Sequence, residues 1–358
     1  MVTEMRIPLF VLRRVVMIPA LAAATVIGVV LLVAVTAVTG PASLGRRGRW
    51  RATRLGAFLV TYLALEFVAL ASAFAIWVRC GPAARRDVAR YQELNFRIIE
   101  KLLARLYGAA RRLFRLRVEI LADLQARQQA DAVASGGPVI VLARHAGPGD
   151  SFLLVYGLLA YAGRRPLLVL KRALVLDPWI DVLLGRVPHS YIEPHDHGDR
   201  AIALISDLAA GLAARDALVI FPEGGNFTPG RHQRAIDDLQ RRGHRRRAAQ
   251  AARQHHVLPP RPSGTLNAID AAPQADLVIV AHTGLDQLDS AAAVWKGIPL
   301  ELPLRVTWWR IPARDLPSGR DARTEWLNAQ WARVDDWIAS YAASDLPKSE
   351  PSAVERHR

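Results

Sequence analysis

Cysteine is almost absent from this 358-residue chain, which has Cys80 and no other. A single cysteine cannot form an intramolecular disulfide, and it excludes a cysteine-rich zinc site. Lysine is also scarce, because only four of the 47 basic residues are lysines. A sequence that is 51% apolar fits neither a disordered chain nor a collagen-like one. The length is enough for one large domain or two modest ones.

Acidic residues are too few to balance the basic ones, since 32 Asp and Glu stand against 47 Lys and Arg and give a net charge of +15. Such an excess favours a partner that carries phosphate, either a nucleic acid or an anionic membrane surface. Most of the charge lies in three stretches: residues 1–14 (+2), 41–55 (+5) and 231–254 (+6). The first two flank long apolar runs, so their position favours a membrane.

Two apolar runs, residues 15–39 and 56–78, lie on either side of the basic stretch 41–55. At about 1.5 Å per helical residue, each run is long enough to cross a hydrocarbon core of about 30 Å. A cleaved signal peptide has a shorter apolar core of roughly 7–15 residues. We therefore predict a membrane helical hairpin in residues 1–80. Because arginines lie at the loop and at both outer ends, two arrangements stay open: a spanning hairpin with both ends cytoplasmic, or one that dips into a single leaflet with its loop on the cytoplasmic side.

The rest of the chain divides into a linker, an α/β domain and a tail. Leucines recur at helical spacing between arginines after the hairpin, so residues 81–135 are predicted to form amphipathic linker helices. Strands separated by helices predict an α/β fold over residues 136–343, with a mostly parallel sheet flanked by helices. Residues 344–358 are polar and are predicted to be disordered. The predicted strands are the short apolar runs 139–143, 167–170, 187–192, 217–221, 277–281 and 304–309.

The first of these strands runs directly into the residues R-H-A-G-P-G-D-S at positions 144–151. Ligands of a parallel sheet gather where its strands end, so this turn is a candidate site. His145 and Asp150 can meet across the Gly/Pro turn, and the aspartate then fixes one imidazole tautomer and leaves the other nitrogen free to take a proton from an alcohol. Ser151 suggests a Ser-His-Asp hydrolase, but the chain has no G-x-S-x-G elbow, and a serine here is typical of a helix start.

Two further motifs follow. F-P-E-G occupies positions 221–224 after a strand, and V-L-P-P-R-P-S-G occupies positions 257–264. A buried strand ending in F-P-E-G, downstream of H-x-x-x-x-D in the same α/β unit, resembles the lysophospholipid or glycerolipid acyltransferase family, whose type member is 1-acylglycerol-3-phosphate acyltransferase. The insertion before the last motif and its P-R-x-x-G ending are similar to the lysocardiolipin and lysophosphatidylinositol acyltransferase subgroup. The resemblance covers roughly residues 138–284, and the preceding hairpin is also typical of the family.

The resemblance implies transfer of a fatty acyl chain from acyl-CoA or acyl carrier protein to a free hydroxyl of a lysophospholipid. It implies no metal, no other cofactor and no acyl-enzyme. Carried over to this sequence, His145 is the general base and Asp150 orients it. The other implied site residues are Glu223 and Gly224 for the acceptor, and Pro259 or Pro260, with Arg261, for the acyl donor.

The sequence departs from the family pattern where an arginine would bind the phosphate of the acceptor. Pro194 stands at that position of the second block, and Gly225-Asn226 replaces the usual threonine-arginine after F-P-E-G. Arg144 also stands where asparagine is common. Other cations must then serve the head group, and the candidates are Lys171, Arg172, Arg200 and Arg186, with Arg231 or Arg234 reaching back.

The arginine-rich stretch 231–254 is the best candidate in the chain for binding nucleic acid. It has no aromatic residue for base stacking and matches no recognised binding module. We therefore expect no nucleic acid, and we interpret the stretch as a basic surface for anionic lipid or for the phosphates of CoA. The catalytic domain is expected on the cytoplasmic face of the inner membrane. Two alternatives stay open: a CoA-independent phospholipid transacylase that uses the same histidine, and a catalytically silent, membrane-tethered binder of anionic lipid or polymer.

Overall fold

Two long apolar helices open the fold, α1 (Leu9–Gly45) and α2 (Arg51–Cys80). Within them, Arg13–Pro41 and Arg51–Cys80 are long and apolar enough to cross a membrane, by length and composition alone. Both helices extend beyond the predicted bounds of 15–39 and 56–78. The chain is described by a computed structural model that covers residues 9–45, 49–81, 86–121, 133–134, 136–192, 198–288 and 290–342, so the predicted disordered tail lies outside the described residues.

The two helices form an antiparallel hairpin, as predicted. Thr36 donates its hydroxyl to Thr53 across the pair at 3.3 Å, close to the loop. About one helical turn further from the loop, Gly56 of α2 lies against the side chain of Leu32, so the helices approach closely. Their outer surface is apolar, because valines and isoleucines of α1 remain exposed along its length.

The helix α3 (Val88–Phe114) packs against α2 and buries the predicted leucine face, with Leu102 and Leu103 almost fully covered. The predicted linker helices of residues 81–135 are interrupted after α3, because residues 118–120 form a strand, β1 (Val118–Ile120); residues 122–132 lie outside the described residues. This strand pairs in parallel with a strand near the end of the chain, and two of its three residues are exposed. Three residues with little burial give no periodic signal, so only the distant partner defines this strand.

A seven-stranded sheet forms the centre of the domain, in the order β1-β7-β6-β2-β5-β3-β4. Five of the strands, from β6 to β4 in this order, run parallel, while β7 is antiparallel to β6 and parallel to β1. The predicted mostly parallel α/β sheet is confirmed. The strands after β1 are β2 (Val139–Ala143), β3 (Arg165–Lys171), β4 (His189–Ile192), β5 (Asp216–Ile220), β6 (Asp276–Thr283) and β7 (Leu304–Ile311).

Helices cover both faces of this sheet, which explains why the central strands β2 and β5 are buried along their whole length. Ile140 and Leu142 point to one face, while Val139 and Val141 point to the other. The helices are α4 (Asp150–Ala160), α5 (Asp199–Ala210), α6 (Pro229–Arg241), α7 (Arg245–Ala251), α8 (Pro262–Ala271), α9 (Ala291–Gly297) and α10 (Arg320–Ala342).

One face of the sheet is covered by α5, α8 and α10, and α4 lies on the other face. The apolar stripe of α10, typical of an amphipathic helix, is buried at Leu327, Trp331, Val334 and Ile338. Short turns of 3-10 helix (Arg172–Leu176) and π-helix (Ile180–Leu184) connect β3 to β4. Residues in these turns and next to them contact the hairpin.

The hairpin is attached to the domain along the whole length of α2. Near its start, Arg51 donates from Nε to the carbonyl of Ile298 at 3.1 Å. In its middle, the buried carboxylate of Glu66 accepts the backbone N–H of Trp179 at 2.9 Å. Near its end, the carbonyl of Ala73 accepts a hydrogen bond from Arg186 at 2.7 Å.

Several arginines of the hairpin that contribute to the net positive charge, and that were interpreted as facing lipid, form ion pairs with the domain. At the start of α1, Arg13 and Arg14 both pair with the buried carboxylate of Asp181, at 2.8 Å for the Nε of Arg14. In the loop, Arg49 pairs with Glu301. Both ends of the hairpin therefore contact the same domain.

Candidate active site

The candidate site begins at the turn where β2 ends and α4 begins. Two glycines of this turn lie in the left-handed region, Gly147 with φ of 133° and Gly149 with φ of 84°. Residues with a side chain rarely adopt this conformation. At Gly147 a Cβ would also lie 2.6 Å from the carbonyl oxygen of Leu285, so no side chain fits there. The turn reverses the chain and brings Asp150 back onto His145.

His145 and Asp150 are hydrogen-bonded in the way that the spacing predicts. The Nδ1 of His145 lies 2.9 Å from Oδ2 and 3.1 Å from Oδ1 of Asp150. Because a carboxylate only accepts, the Nδ1 carries the proton and the Nε2 is left as the basic nitrogen. The imidazole is 24% exposed, and its Nε2 has no hydrogen-bond partner among the residues that the structure describes. It is thus available to a substrate.

Asp150 is held in place by its own loop. Its Oδ2 accepts the backbone N–H of Ala146 at 2.8 Å, and its Oδ1 accepts the hydroxyl of Ser151 at 3.1 Å. Ser151 therefore bonds the aspartate and not the histidine, which favours the helix-start interpretation over the hydrolase one. Burial raises the pKa of Asp150, but the hydrogen bond and charge of His145, together with His282, outweigh it and lower the pKa on balance. The carboxylate stays ionised and can stabilise an imidazolium.

Glu223 joins this turn to the loop of the third motif. It follows β5 and is 2% exposed. Its Oε1 accepts the backbone N–H of His145 at 3.4 Å, and its Oε2 accepts that of Leu258 at 2.9 Å. Burial raises its pKa to about 7, although the charge of Arg144 opposes the shift. Both oxygens face protein backbone, so Glu223 acts on the site by fixing the relative position of two loops.

The loop after Glu223 encloses His145 from the other side. The N–H of Phe227 donates to the carbonyl of His145 at 3.0 Å. The Phe221 ring, just before the motif, lies 4.6 Å from the imidazole, measured between ring centroids. Both ends of the 223–227 loop are therefore hydrogen-bonded to the backbone of His145.

The third motif meets the second at Arg261. Its N–H donates to the carbonyl of Pro222 at 2.8 Å, and its guanidinium lies over Gly224, whose φ is 69°. Pro260 is buried next to it, and its carbonyl accepts a hydrogen bond from Arg247 at 2.9 Å. The structure thus brings together the predicted residues His145, Asp150, Glu223, Gly224, Pro259, Pro260 and Arg261.

The predicted phosphate-binding cations lie further along the same edge of the sheet. Lys171 ends β3 and Arg172 follows it, and both are exposed. β5 separates β3 from β2, so these residues are two strands away from His145. Arg200 lies in the first turn of α5, after the outermost strand β4, and Pro194 lies outside the described residues.

A buried cluster next to His145, made of Arg144, Asp286 and His282, was given no role in the sequence analysis. Arg144 is 1% exposed and pairs with Asp286. It also donates to the carbonyls of His282 at 2.8 Å and of His256 at 3.1 Å. The His282 Nε2 donates to the Arg144 carbonyl at 3.1 Å and lies 3.7 Å from Oδ2 of Asp150. An arginine at a strand end was the one available signal.

The charges in this group fix its protonation. Burial and the nearby guanidinium of Arg144 lower the pKa of His282, so its imidazole is neutral. Burial raises the pKa of Asp286, but Arg144, Thr283 and the N–H of Gly284 outweigh it and lower the pKa on balance. Arg144 and Asp286 therefore form an ion pair that ties the turn after β2 to the loop after β6. Within the described ranges, no three His, Cys, Asp or Glu side chains form a group that could hold a metal ion.

Comparison with known proteins agrees with this geometry. Residues 119–261 match the family model described as Acyltransferase. The matched segment contains the His145–Asp150 turn and the Glu223 loop, and it ends at Arg261. No curated protein matched the chain. The match supports an acyltransferase domain in this segment, of the O-acyltransferase type in general. The match supports the glycerolipid acyltransferase family, and with it acyl transfer in lipid synthesis between an acyl donor and a lipid acceptor.

Proposed function

We propose that this protein transfers a fatty acyl chain from acyl-CoA or acyl carrier protein to the free hydroxyl of a lysophospholipid such as 1-acylglycerol-3-phosphate. The observation that carries the proposal is the His145–Asp150 pair in a domain that matches the acyltransferase model: the imidazole is 24% exposed, and its Nε2 has no hydrogen-bond partner in the part of the chain that the structure describes. The P-R-x-x-G ending of the third motif favours the lysocardiolipin and lysophosphatidylinositol acyltransferase subgroup.

In the proposed step, the Nε2 of His145 takes the proton of the acceptor hydroxyl, and the hydroxyl oxygen attacks the carbonyl carbon of the thioester. The tetrahedral intermediate collapses as the carbon–sulfur bond breaks, and the thiolate takes the proton back from the imidazolium. Asp150 stabilises the imidazolium between the two transfers. Glu223 holds the loop of Pro259, Pro260 and Arg261, the proposed donor site, against the histidine turn. The proposed scheme uses the thioester as a substrate and involves no cofactor.

The contacts of the hairpin support the single-leaflet arrangement over the spanning one. A helix as long as α2 would cross a bilayer, but α2 contacts the domain at its start, its middle and its end. Its two ends can lie on opposite sides of a membrane only if the domain does too. The exposed valines of α1, such as Val26, Val30 and Val33, then enter one leaflet. The proposed location is the cytoplasmic face of the inner membrane.

The proposal is tested by comparing His145→Ala and Asp150→Asn with wild type in an assay of radiolabelled acyl-CoA and a panel of lysophospholipids. Loss of a general base typically costs 10²- to 10⁴-fold in rate, and we expect losses in this range. His244→Ala is the matched control, because His244 is exposed and its side chain caps nothing.

Two outcomes would overturn the proposal. Full activity of His145→Ala refutes the mechanism. Transfer that proceeds without added thioester assigns the same histidine to a CoA-independent transacylase. Lys171→Gln, Arg172→Gln and Arg200→Gln, each assayed across the panel, test whether these cations bind the acceptor phosphate.

A further inference from the structure

Two arginines lie on the glycines that follow Glu223. The guanidinium of Arg261 is 3.1 Å from where a Cβ of Gly224 would be, and the Nη1 of Arg231 is 3.1 Å from the equivalent point of Gly225. Both distances are tighter than ordinary van der Waals contact. The two guanidinium groups therefore occupy space that side chains at positions 224 and 225 would fill.

Neither guanidinium is neutralised by the described protein. Arg231 bonds the backbone carbonyl of Asn226 at 3.2 Å, and the Arg261 side chain has no hydrogen bond within the described ranges. Glu223, the carboxylate of this loop, is buried and uses both oxygens on backbone N–H groups. Two exposed cations, one in α6 and one just before α8, thus lie against adjacent glycines of one loop, without an acidic partner among the described residues.

The same loop is bonded to the backbone of the proposed catalytic residue. Its first residue accepts the N–H of His145, and its last, Phe227, donates to the carbonyl of His145. An anion held over the two glycines therefore contacts the loop that is bonded to His145. Guanidinium groups match the oxygen geometry of phosphate better than a lysine ammonium does, because each presents a planar fork of donors.

We propose that Arg231 and Arg261 form a phosphate-binding site of the reaction centre. It rests on the proposed function, which requires substrates that carry phosphate esters. The site explains a departure of the sequence from its family pattern: Gly225 stands where threonine is usual, and the missing side chain leaves the space that Arg231 occupies. The phosphate belongs either to the head group of the acceptor or to the CoA part of the donor, and the experiment separates the two.

Binding is measured by calorimetry on the full chain in detergent, with glycerol 3-phosphate as the acceptor probe and adenosine 3′,5′-bisphosphate as the donor probe. Arg231→Gln and Arg261→Gln are each expected to weaken binding of one probe about tenfold, because a charge-assisted hydrogen bond is lost. Gly225→Ser keeps both arginines but displaces Arg231, and its backbone is not strained. It is expected to weaken the same probe.

Arg215→Gln is the matched control. Arg215 is also exposed, and within the described ranges its side chain bonds only a backbone carbonyl, that of Gly163, but it precedes β5 at the opposite edge of the sheet. In steady-state assays of the arginine variants, we expect the KM of the affected substrate to rise about tenfold while the KM of the other is unchanged.

Three results overturn the proposal: the wild type binds neither probe, the double variant Arg231→Gln/Arg261→Gln binds both probes as the wild type does, or Arg215→Gln weakens binding equally. Failure of the proposed function gives a different pattern. In that case no acyl transfer is found, while binding of a probe still depends on both arginines. His145→Ala is expected to keep probe binding and lose transfer.

Discussion

Loss of the ion pair between the buried Arg144 and the partly buried Asp286 should destabilise the domain strongly. Arg144→Leu removes the guanidinium and leaves the Asp286 carboxylate without its cation, and the carbonyls of His256 and His282 without a donor. Breaking a buried pair from one side costs about 3–5 kcal/mol. The Asp286 side chain is 22% exposed and keeps its bonds from Thr283 and Gly284, so we expect the lower end, about 3 kcal/mol.

Companion variants separate the pair from the surrounding packing. The double variant Arg144→Leu/Asp286→Leu removes both charges, so its cost should be smaller than the sum of the two single costs. Arg246 pairs with Glu325 at 3.0 Å, but the two side chains are 92% and 70% exposed. Arg246→Leu is the matched control, because an exposed pair contributes about 0–1 kcal/mol.

Thermal unfolding in detergent, followed by tryptophan fluorescence, measures the effect. For a domain of this size about 1 kcal/mol shifts Tm by about 2–4 °C, so Arg144→Leu should lower Tm by about 6–12 °C. A shift no larger than that of Arg246→Leu would refute the reasoning. So would additivity in the double variant, because independent contributions mean that the two side chains do not interact.

Two further predictions concern the same loops. The folded protein keeps a proton on Glu223 up to about pH 7, whereas the unfolded chain releases it above the ordinary pKa of 4.5. The free energy of unfolding therefore falls as pH rises between these two values. At about 1.4 kcal/mol per pH unit, the total loss is about 3 kcal/mol. Urea midpoints of Glu223→Gln across this range should lack that slope, and a slope equal to wild type would contradict the shift. Gly147→Ala should lose acyl transfer and about 1–3 kcal/mol of stability, because of its φ and the Leu285 carbonyl. Gly157→Ala, at an open position inside α4, should be neutral or stabilising in the same activity and melting assays, and equal losses would refute the steric argument.

The central strands were predictable because burial on both faces leaves a continuous apolar run between turn residues. The predicted bounds of β2 agree with the structure, and those of β5 differ by one residue. β1 was not predictable, because its three residues carry little apolar signal of their own. Val118 finds its partner at Leu304, far along the chain, and no local pattern records that pairing.

The candidate site also has contacts that were predictable from the sequence and contacts that were not. His145 and Asp150 are five residues apart, so a strand end, two glycines and a helix start were enough to predict their contact. Arg144 and Asp286 are 142 positions apart, and only the neighbouring positions of β2 and β6 in the sheet bring them together. The motif F-P-E-G marked Glu223, but its bonds to His145 and Leu258 appear only when three loops meet.

The position of the hairpin relative to the site follows from contacts inside the protein. Glu66 of α2 accepts the N–H of Trp179, the ring of Trp179 lies 6.1 Å from that of Phe152, and Phe152 is in the first turn of α4, which begins at Asp150. The apolar helices and Asp150 are thus linked by two successive contacts and the first turn of α4. The arginines that flank the hairpin add bonds to the same domain at both ends. In the proposed single-leaflet arrangement, the packing of the domain against the hairpin therefore sets the depth of the site, and these arginines serve internal contacts.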